Sequence, residues 1–346
     1  MSCTSEGAGF PGECLCPVKS TGKGDRMVEI MEDRGGAGKS AGIEVFTRHP
    51  QNPILVPADW PYPANSVFNP GATRIDGETL LLVRVEDGRG MSHLTAARSR
   101  DGIGDWRIDK RPTFTPDLSR PEESYGVEDP RVIRLDEEDC WAVLYTAYSD
   151  RGPLVSLALT KDFVSFDRKG AITWPDNKDA AFFPRKIGGK WWMIHRPTTG
   201  FGGARGHMWV SRSPDMVHWG EHDIFLEARS GGWWDANKIG LNAPPLETPE
   251  GWLILYHGVR VSGAGVNYRL GLALADLDRP DRIIKRNDRW IFGPREAYER
   301  NGDVGNVVFP CGWTLVDGRV FMYYGGADTV VGLATADLSD LLACLE

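Results

Sequence analysis

Short apolar runs of roughly four to seven residues, separated by turns rich in Gly, Pro and Asp, recur from about residue 43 to the end of the chain. Long helical periodicity is almost absent, which predicts strands rather than helices. Five segments repeat one pattern: a proline, an apolar strand, a turn, and a second apolar strand that ends in polar or aromatic residues. They are NPGATRIDGETLLLVR from Asn69, DPRVIRLDEEDCWAVLYT from Asp129, FPRKIGGKWWMIHR from Phe183, APPLETPEGWLILYHG from Ala243 and FPCGWTLVDGRVFMYYG from Phe309. Each predicts a hairpin. Their prolines, Pro70, Pro130, Pro184, Pro244 and Pro310, recur at intervals of 60, 54, 60 and 66 residues, the length of a four-stranded unit with its loops.

A second pattern follows each hairpin: HLTAARSRDGIGDW from His93, SLALTKDFVSF from Ser156, HMWVSRSPDMVHW from His207, YRLGLALADLDRPDRI from Tyr268 and VGLATADLSDL from Val331. In each, an alternating strand runs into a turn of the Ser/Thr/Ala-x-Asp kind, as an outer hairpin should. Four strands repeated five times predict an all-β five-bladed β-propeller, which leaves only short, protected sheet edges. Two stacked β-sandwiches would not produce fivefold recurrence. Residues 43–346 are expected to form this one domain. Residues 1–42, rich in Gly, Ser, Lys and acids, read as a flexible extension in which Met27 could be an alternative start.

Composition narrows the function classes. Of 346 residues, 41% are hydrophobic and 25% charged, which suits a globular protein with a sizeable core. A formal net charge of −8 argues against nucleic acid as a partner, so any anion must be held locally. No apolar stretch is long enough for a membrane helix, and the N-terminus lacks a signal-peptide core, so a cytoplasmic location and no membrane partner are expected. Six cysteines, at 3, 14, 16, 140, 311 and 344, form no disulfide framework. Cys3, Cys14 and Cys16 lack a well-spaced fourth ligand, and no metal is expected. Gly38-Lys39-Ser40 resembles the end of a P-loop, but Asp33 stands where its first glycine belongs. His218 and His222 are four apart, yet Gly220 and the preceding turn argue against a zinc-binding helix.

The loops entering and leaving the innermost strands of such an architecture face a common funnel. Beside the repeated prolines or at second-strand ends stand Asn69, Arg84, Glu128, Asp129, His195, Arg196 and His257, with Lys178, Lys238, Tyr268 and Asp328 nearby. Each has a plainer reading alone. Asp129 could cap a turn and pair with Arg131. His195 and Arg196 could satisfy one another, and Lys238 could simply be solvated. Recurrence at matching places in different repeats instead points to one basic cluster facing a few carboxylates, a site that binds an anion and handles a proton. Trp60, Tyr62, Trp233 and Trp234 could stack on sugar rings or plug loops.

The motifs GVEDPR (Gly126 to Arg131), NKDAAFFP (Asn177 to Pro184), IHRP (Ile194 to Pro197), WWDANKIG (Trp233 to Gly240), GWLILYHGV (Gly251 to Val259) and GNVVFPCG (Gly305 to Gly312) occur in order. Together they resemble the β-mannoside phosphorylases of glycoside hydrolase family 130, over a stretch from about Ile43 to the end. The resemblance implies an inverting enzyme that splits a β-mannoside with inorganic phosphate to give α-mannose 1-phosphate. On this sequence it implies Asp129 as the sole catalytic acid. It further implies Asn69, Arg84 and Asp328 around the mannose, and Lys178, Arg196, Lys238, His257 and Tyr268 around phosphate. The role of Glu128 stays open. Phosphate would be a co-substrate, with no cofactor. Relatives that assemble leave room for a homo-oligomer, though nothing in the sequence marks an interface.

Phosphate is already a nucleophilic anion, so a phosphorylase needs an acid and cations to position the attacker, whereas an inverting hydrolase needs a second carboxylate to activate water. Family members that hydrolyse lack much of this basic set, so the resemblance, with Lys178, Arg196, Lys238 and His257 retained, implies phosphorolysis. The alternatives are an inverting β-mannosidase and a non-catalytic glycan-binding propeller. Linkage, β-1,4 or β-1,2, and acceptor sugar are not fixed by these motifs.

Overall fold

In the computed structural model, which describes residues 44–198, 205–263 and 265–345, strands dominate, and the α-helices Ala297–Arg300 and Leu338–Ala343 are single short turns. The predicted all-β class is what forms. The chain builds five antiparallel modules in succession. The first runs Ser66–Ile75, Glu78–Glu86, Ser92–Ser99, Arg107–Ile108; the second Gly126–Leu135, Cys140–Ser149, Gly152–Thr160, Asp167–Ala171. The third is Asn177–Phe182, Trp191–Pro197, Met208–Ser213, Gly220–Leu226, and the fourth Lys238–Leu241, Gly251–Ser262, Gly265–Ala275, Ile283–Arg286, with Leu246–Thr248 extending its first strand. The fifth takes three strands, Val308–Val316, Arg319–Gly326 and Val330–Asp337, from the end of the chain and its outermost one, Thr47–Arg48, from the beginning.

Hydrophobic patterning explains where each strand sits. Middle strands are apolar on both faces: from Gly251 to Val259 every residue is buried, because the sheet is covered on both sides. Outermost strands carry polar residues, as in Gly220–Leu226, where His222 and Asp223 are exposed. The core lies between modules. One cluster joins Leu144 and Leu157 of the second module to Phe182 and Ile194 of the third and Ile254 of the fourth. The outer turns follow the expected chemistry in four cases. Asp101, Asp162, Asp215 and Asp276 each accept backbone N–H bonds from the residues two and three further on, at 2.8–3.1 Å. In the fifth module Asp337 instead leads into the helix Leu338–Ala343.

The prolines do not mark equivalent places, which corrects the sequence reading. In the first three modules the first strand carries a bulge, between Phe68 and Gly71, Glu128 and Arg131, and Lys178 and Ala181. Pro70 and Pro130 occupy it, but the third module has Ala180 there, and Pro184 lies beyond the strand end at Phe182. Pro310 sits one place earlier in the fifth module's bulge, where Cys311 takes the proline's place. Pro244 falls between the two pieces of the fourth module's first strand.

First strands touch from module to module: the first meets the second, the second the third, the third the fourth, and the fifth meets the first. The Asn242 side-chain amide in the fourth module donates to the Pro310 carbonyl in the fifth at 2.9 Å. Among the described residues no helix is long and apolar enough to cross a membrane. The expected extension of residues 1–42, with its P-loop-like Gly38-Lys39-Ser40 and Cys3, Cys14 and Cys16, lies outside the described residues.

Candidate active site

The bulges aim the polar residues. Asn69, Asp129 and Asp179 take the same left-handed backbone conformation, with φ of 46°, 48° and 55°. Asn and Asp tolerate that region better than other L-residues, because their short side chains can bond locally. The bulge re-aims one side chain per strand. Where the bulged strands meet, glycine makes room. A Cβ on Gly325 would lie 2.1 Å from Asn69 Oδ1, and one on Gly240 would lie 2.5 Å from Asp179 Oδ2.

Asp129 is buried, and its Oδ1 accepts from Asn69 Nδ2 at 2.9 Å and from Arg84 Nη1 at 3.0 Å. No group among the described residues bonds Oδ2. Arg84 also donates from Nη2 to Glu128 Oε1 at 3.1 Å and from Nε to Ser92 Oγ at 2.9 Å, which locks its plane against the carboxylates. Burial pushes the Asp129 carboxyl up, but the charges of Arg84, Lys178 and Arg131 outweigh it and hold the group below the usual range. Asp328, on the turn after Arg319–Gly326, feels the reverse balance. Burial and then the charge of Asp129 push it up to about 7. Burial likewise raises Glu128. Three carboxylates thus share one arginine, and their environments drive their proton affinities apart, the arrangement expected of an acid-handling site.

The cations stand on the neighbouring modules. Arg196 donates from Nε to Asp179 Oδ2 at 2.8 Å and holds Nη2 in an ion pair 2.8 Å from the same oxygen, while Arg131 Nη2 reaches Asp179 Oδ1 at 3.4 Å. These charges hold Asp179 ionised despite complete burial. His257 Nε2 lies 3.7 Å from the same carboxylate, but burial pushes this imidazole down to about 3, so it is neutral; its Nδ1 is buried without a partner. Tyr268 packs at 5.7 Å from the His257 ring, and burial raises its phenol to about 12. Lys238 Nζ lies 5.7 Å from the Tyr268 ring centre, with its proton affinity lowered by burial and by Arg196. Neither the Lys178 nor the Lys238 ammonium group makes a hydrogen bond or ion pair among the described residues. Buried carboxylates elsewhere have their own arginines: Glu299 with Arg48, Glu123 with Arg168, Asp235 with Arg286. Two ammonium groups without a direct ion-pair partner beside Arg196 make this side of the site locally positive, an arrangement suited to an anion.

The sequence profile of the family described as β-1,4-mannooligosaccharide phosphorylase matches residues 46–346. The chain belongs to glycoside hydrolase family 130. It is 37% identical over 310 residues to the β-1,4-mannooligosaccharide phosphorylase of Ruminococcus albus, covering 86% of this chain and 90% of that one. It is 34% identical over 300 residues to a 1,2-β-oligomannan phosphorylase of a Thermoanaerobacter species, covering 84% and 96%. The β-1,2-mannobiose phosphorylase of Listeria innocua, solved with β-1,2-mannobiose, superimposes with a TM-score of 0.79 at 30% identity, over 87% of this chain and 99% of that one.

Within this family-130 chain, the nine residues expected at the site fall into the two linked groups just described, joined through Lys178, whose charge acts on Asp129, Glu128, Asp328 and Asp179 alike. Other readings are corrected. Arg131 does not pair with the Asp129 carboxylate: it donates to that residue's backbone carbonyl at 2.9 Å and turns to Asp179. His195 lies apart from Arg196, bonded to Asn177 and Ser211, because adjacent strand residues face opposite ways. His222 lies in a strand and bonds Ser211, while His218 bonds Asp215 in the turn. Trp60 and Trp234 are buried packing residues, and Tyr62 bonds His93 and Thr95. Trp233 remains exposed, under Arg229. Asp179 and Arg131 were missed. The signal for Asp179 was its place in Lys178-Asp179-Ala180, which matches Glu128-Asp129-Pro130 once the acid rather than the proline is aligned.

Proposed function

We propose that this protein is an inverting β-mannoside phosphorylase that reversibly converts a β-mannoside and inorganic phosphate into α-D-mannose 1-phosphate and a shortened acceptor. The observation that carries this reading is the unpaired Lys178 and Lys238 beside Arg196, set next to a buried carboxylate with one open oxygen. The named activities of the three relatives described above, each a phosphorylase of β-mannosides, support it.

In this reading Lys178, Arg196 and Lys238 hold phosphate, with His257 and Tyr268 as neutral hydrogen-bonding groups, while Asn69, Arg84 and Asp328 hold mannose. A phosphate oxygen attacks the anomeric carbon from the face opposite the leaving oxygen, the glycosidic C–O bond breaks, and the leaving oxygen takes a proton that originates on Asp129. Asp129 is ionised in the free protein, so it must gain that proton first. A phosphate dianion seated among the lysines offsets the charges that keep it ionised, which makes phosphate both the nucleophile and the trigger for loading the acid.

The five modules are read as the blades of a five-bladed propeller closed by Thr47–Arg48, with residues 43–346 as the single catalytic domain, preceded by the extension of residues 1–42. A cytoplasmic location and a homo-oligomeric assembly belong to the same proposal. No cofactor enters the reaction. Because Glu128 and Asp328 offer the second carboxylate that inverting hydrolysis requires, the deciding assay uses β-1,4- and β-1,2-mannobiose with and without phosphate. Mannose 1-phosphate formed only with phosphate is the expected result. Phosphate-independent free mannose would make the protein a hydrolase instead.

A further inference from the structure

The strands that carry the carboxylates continue outward past them. Across the second module Thr146 is paired with Glu128, and Tyr148 with Gly126, so Glu128, Thr146 and Tyr148 share one face of the sheet. Tyr148 stands two residues further along the strand than Thr146, a rise of about 7 Å. Tyr148 is 42% exposed and its neighbour Tyr125 is 48% exposed. Their rings meet nearly at right angles, with centroids 5.7 Å apart, and the Tyr125 backbone N–H donates to the Tyr148 carbonyl at 2.9 Å. Neither hydroxyl is bonded among the described residues.

Between these rings and Asp129 lies a polar wall. Ser92 is bridged to Gly126 and lies within hydrogen-bonding distance of Arg84 and Glu86, and the second oxygen of Glu128 has no partner among the described residues. An exposed aromatic surface beside carboxylate and hydroxyl groups is suited to the apolar face and hydroxyls of a sugar ring. The negative charges of Glu86, Glu128 and Asp129 disfavour an anion there.

From this geometry we infer that Tyr125 and Tyr148 form the platform for the acceptor-side sugar, the one leaving with the broken bond, and that Glu128 accepts from one of its hydroxyls. The inference rests on the phosphorylase reading of the site. It makes these residues determinants of acceptor affinity, away from the phosphate pocket.

The test compares wild type with Tyr148→Ala, Tyr148→Phe and the Tyr125→Ala/Tyr148→Ala double variant in the synthetic direction, with α-mannose 1-phosphate and glucose, N-acetylglucosamine, mannose and mannobiose as acceptors. Loss of the ring is expected to raise the KM of the preferred acceptor about tenfold, leave the KM for mannose 1-phosphate unchanged, and be rescued by Tyr148→Phe. An unchanged acceptor KM in the double variant, or an equal rise for both substrates, overturns the platform. Calorimetric binding of β-mannobiose keeps the two proposals separate. A wild type that makes no mannose 1-phosphate defeats the phosphorylase reading, whereas equal mannobiose Kd values for wild type and the double variant defeat the platform.

Discussion

Asp179 holds Arg196 through a single oxygen, with Nε and Nη2 of the guanidinium both 2.8 Å from Oδ2. Arg196 is thereby fixed in plane while Lys178 and Lys238 beside it stay unpaired. The two kinds of cation should respond differently to removal. Arg196→Ala leaves a fully buried carboxylate short of its main partner and is expected to destabilise the fold by about 3–5 kcal/mol. Lys238→Ala leaves no buried charge behind. It should raise the phosphate KM at a nearly unchanged Tm, with little effect on the KM for the mannoside. Thermal melts and phosphate titrations of both variants check this; an unchanged phosphate KM in Lys238→Ala would remove it from the pocket.

Asp129→Asn should lower kcat by about 10³-fold, because it keeps the shape and the left-handed backbone but removes the transferable proton. The fold should survive, since Asn tolerates φ near 48° as Asn69 does at 46°. Some stability linked to Arg84 will be lost, so circular dichroism should accompany the assay. Near-wild-type turnover by a folded Asp129→Asn protein would exclude it as the acid.

Gly240→Ala probes the same geometry from the backbone. The added methyl would lie 2.5 Å from Asp179 Oδ2 and 2.6 Å from His257 Cε1, and both are buried side chains. The expected outcome is a rise in phosphate KM through a displaced Asp179–Arg196 pair, with a loss of about 1–3 kcal/mol from overpacking. Wild-type phosphate affinity in a stably folded variant would mean that the pocket does not depend on Asp179.

The strand content and hairpins were legible because alternation and turn chemistry are local signals. Register around the bulges was not. The recurring requirement there is a residue that accepts a left-handed backbone, met by Asn69, Asp129 and Asp179, and the following proline is incidental in two of those modules and missing in the third. Keying the repeat on proline therefore found Asp129 and passed over Asp179. The Arg131–Asp179 contact joins residues 48 apart, which no local pattern reveals. Thr47–Arg48 is only two residues long, too short to announce that it completes the last sheet.

Asp328 offers a test of the carboxylate cluster that does not depend on turnover. Its folded-state proton affinity corresponds to about 7, against the ordinary carboxylate value of about 3.9 in an unfolded chain. Between those values the native protein binds more protons than the unfolded one, so this group makes stability fall as pH rises from about 4 to about 7, with no further change above. Asp328→Asn removes that penalty and keeps a side chain suited to φ of 51°. The variant should match wild type near pH 4, gain steadily on it up to neutrality, and melt several degrees higher at pH 8. Activity should nevertheless fall, because the proposed reading sets Asp328 against mannose. A melting difference that does not depend on pH would mean that Asp328 titrates normally and that the three carboxylates do not share their protons through one cluster.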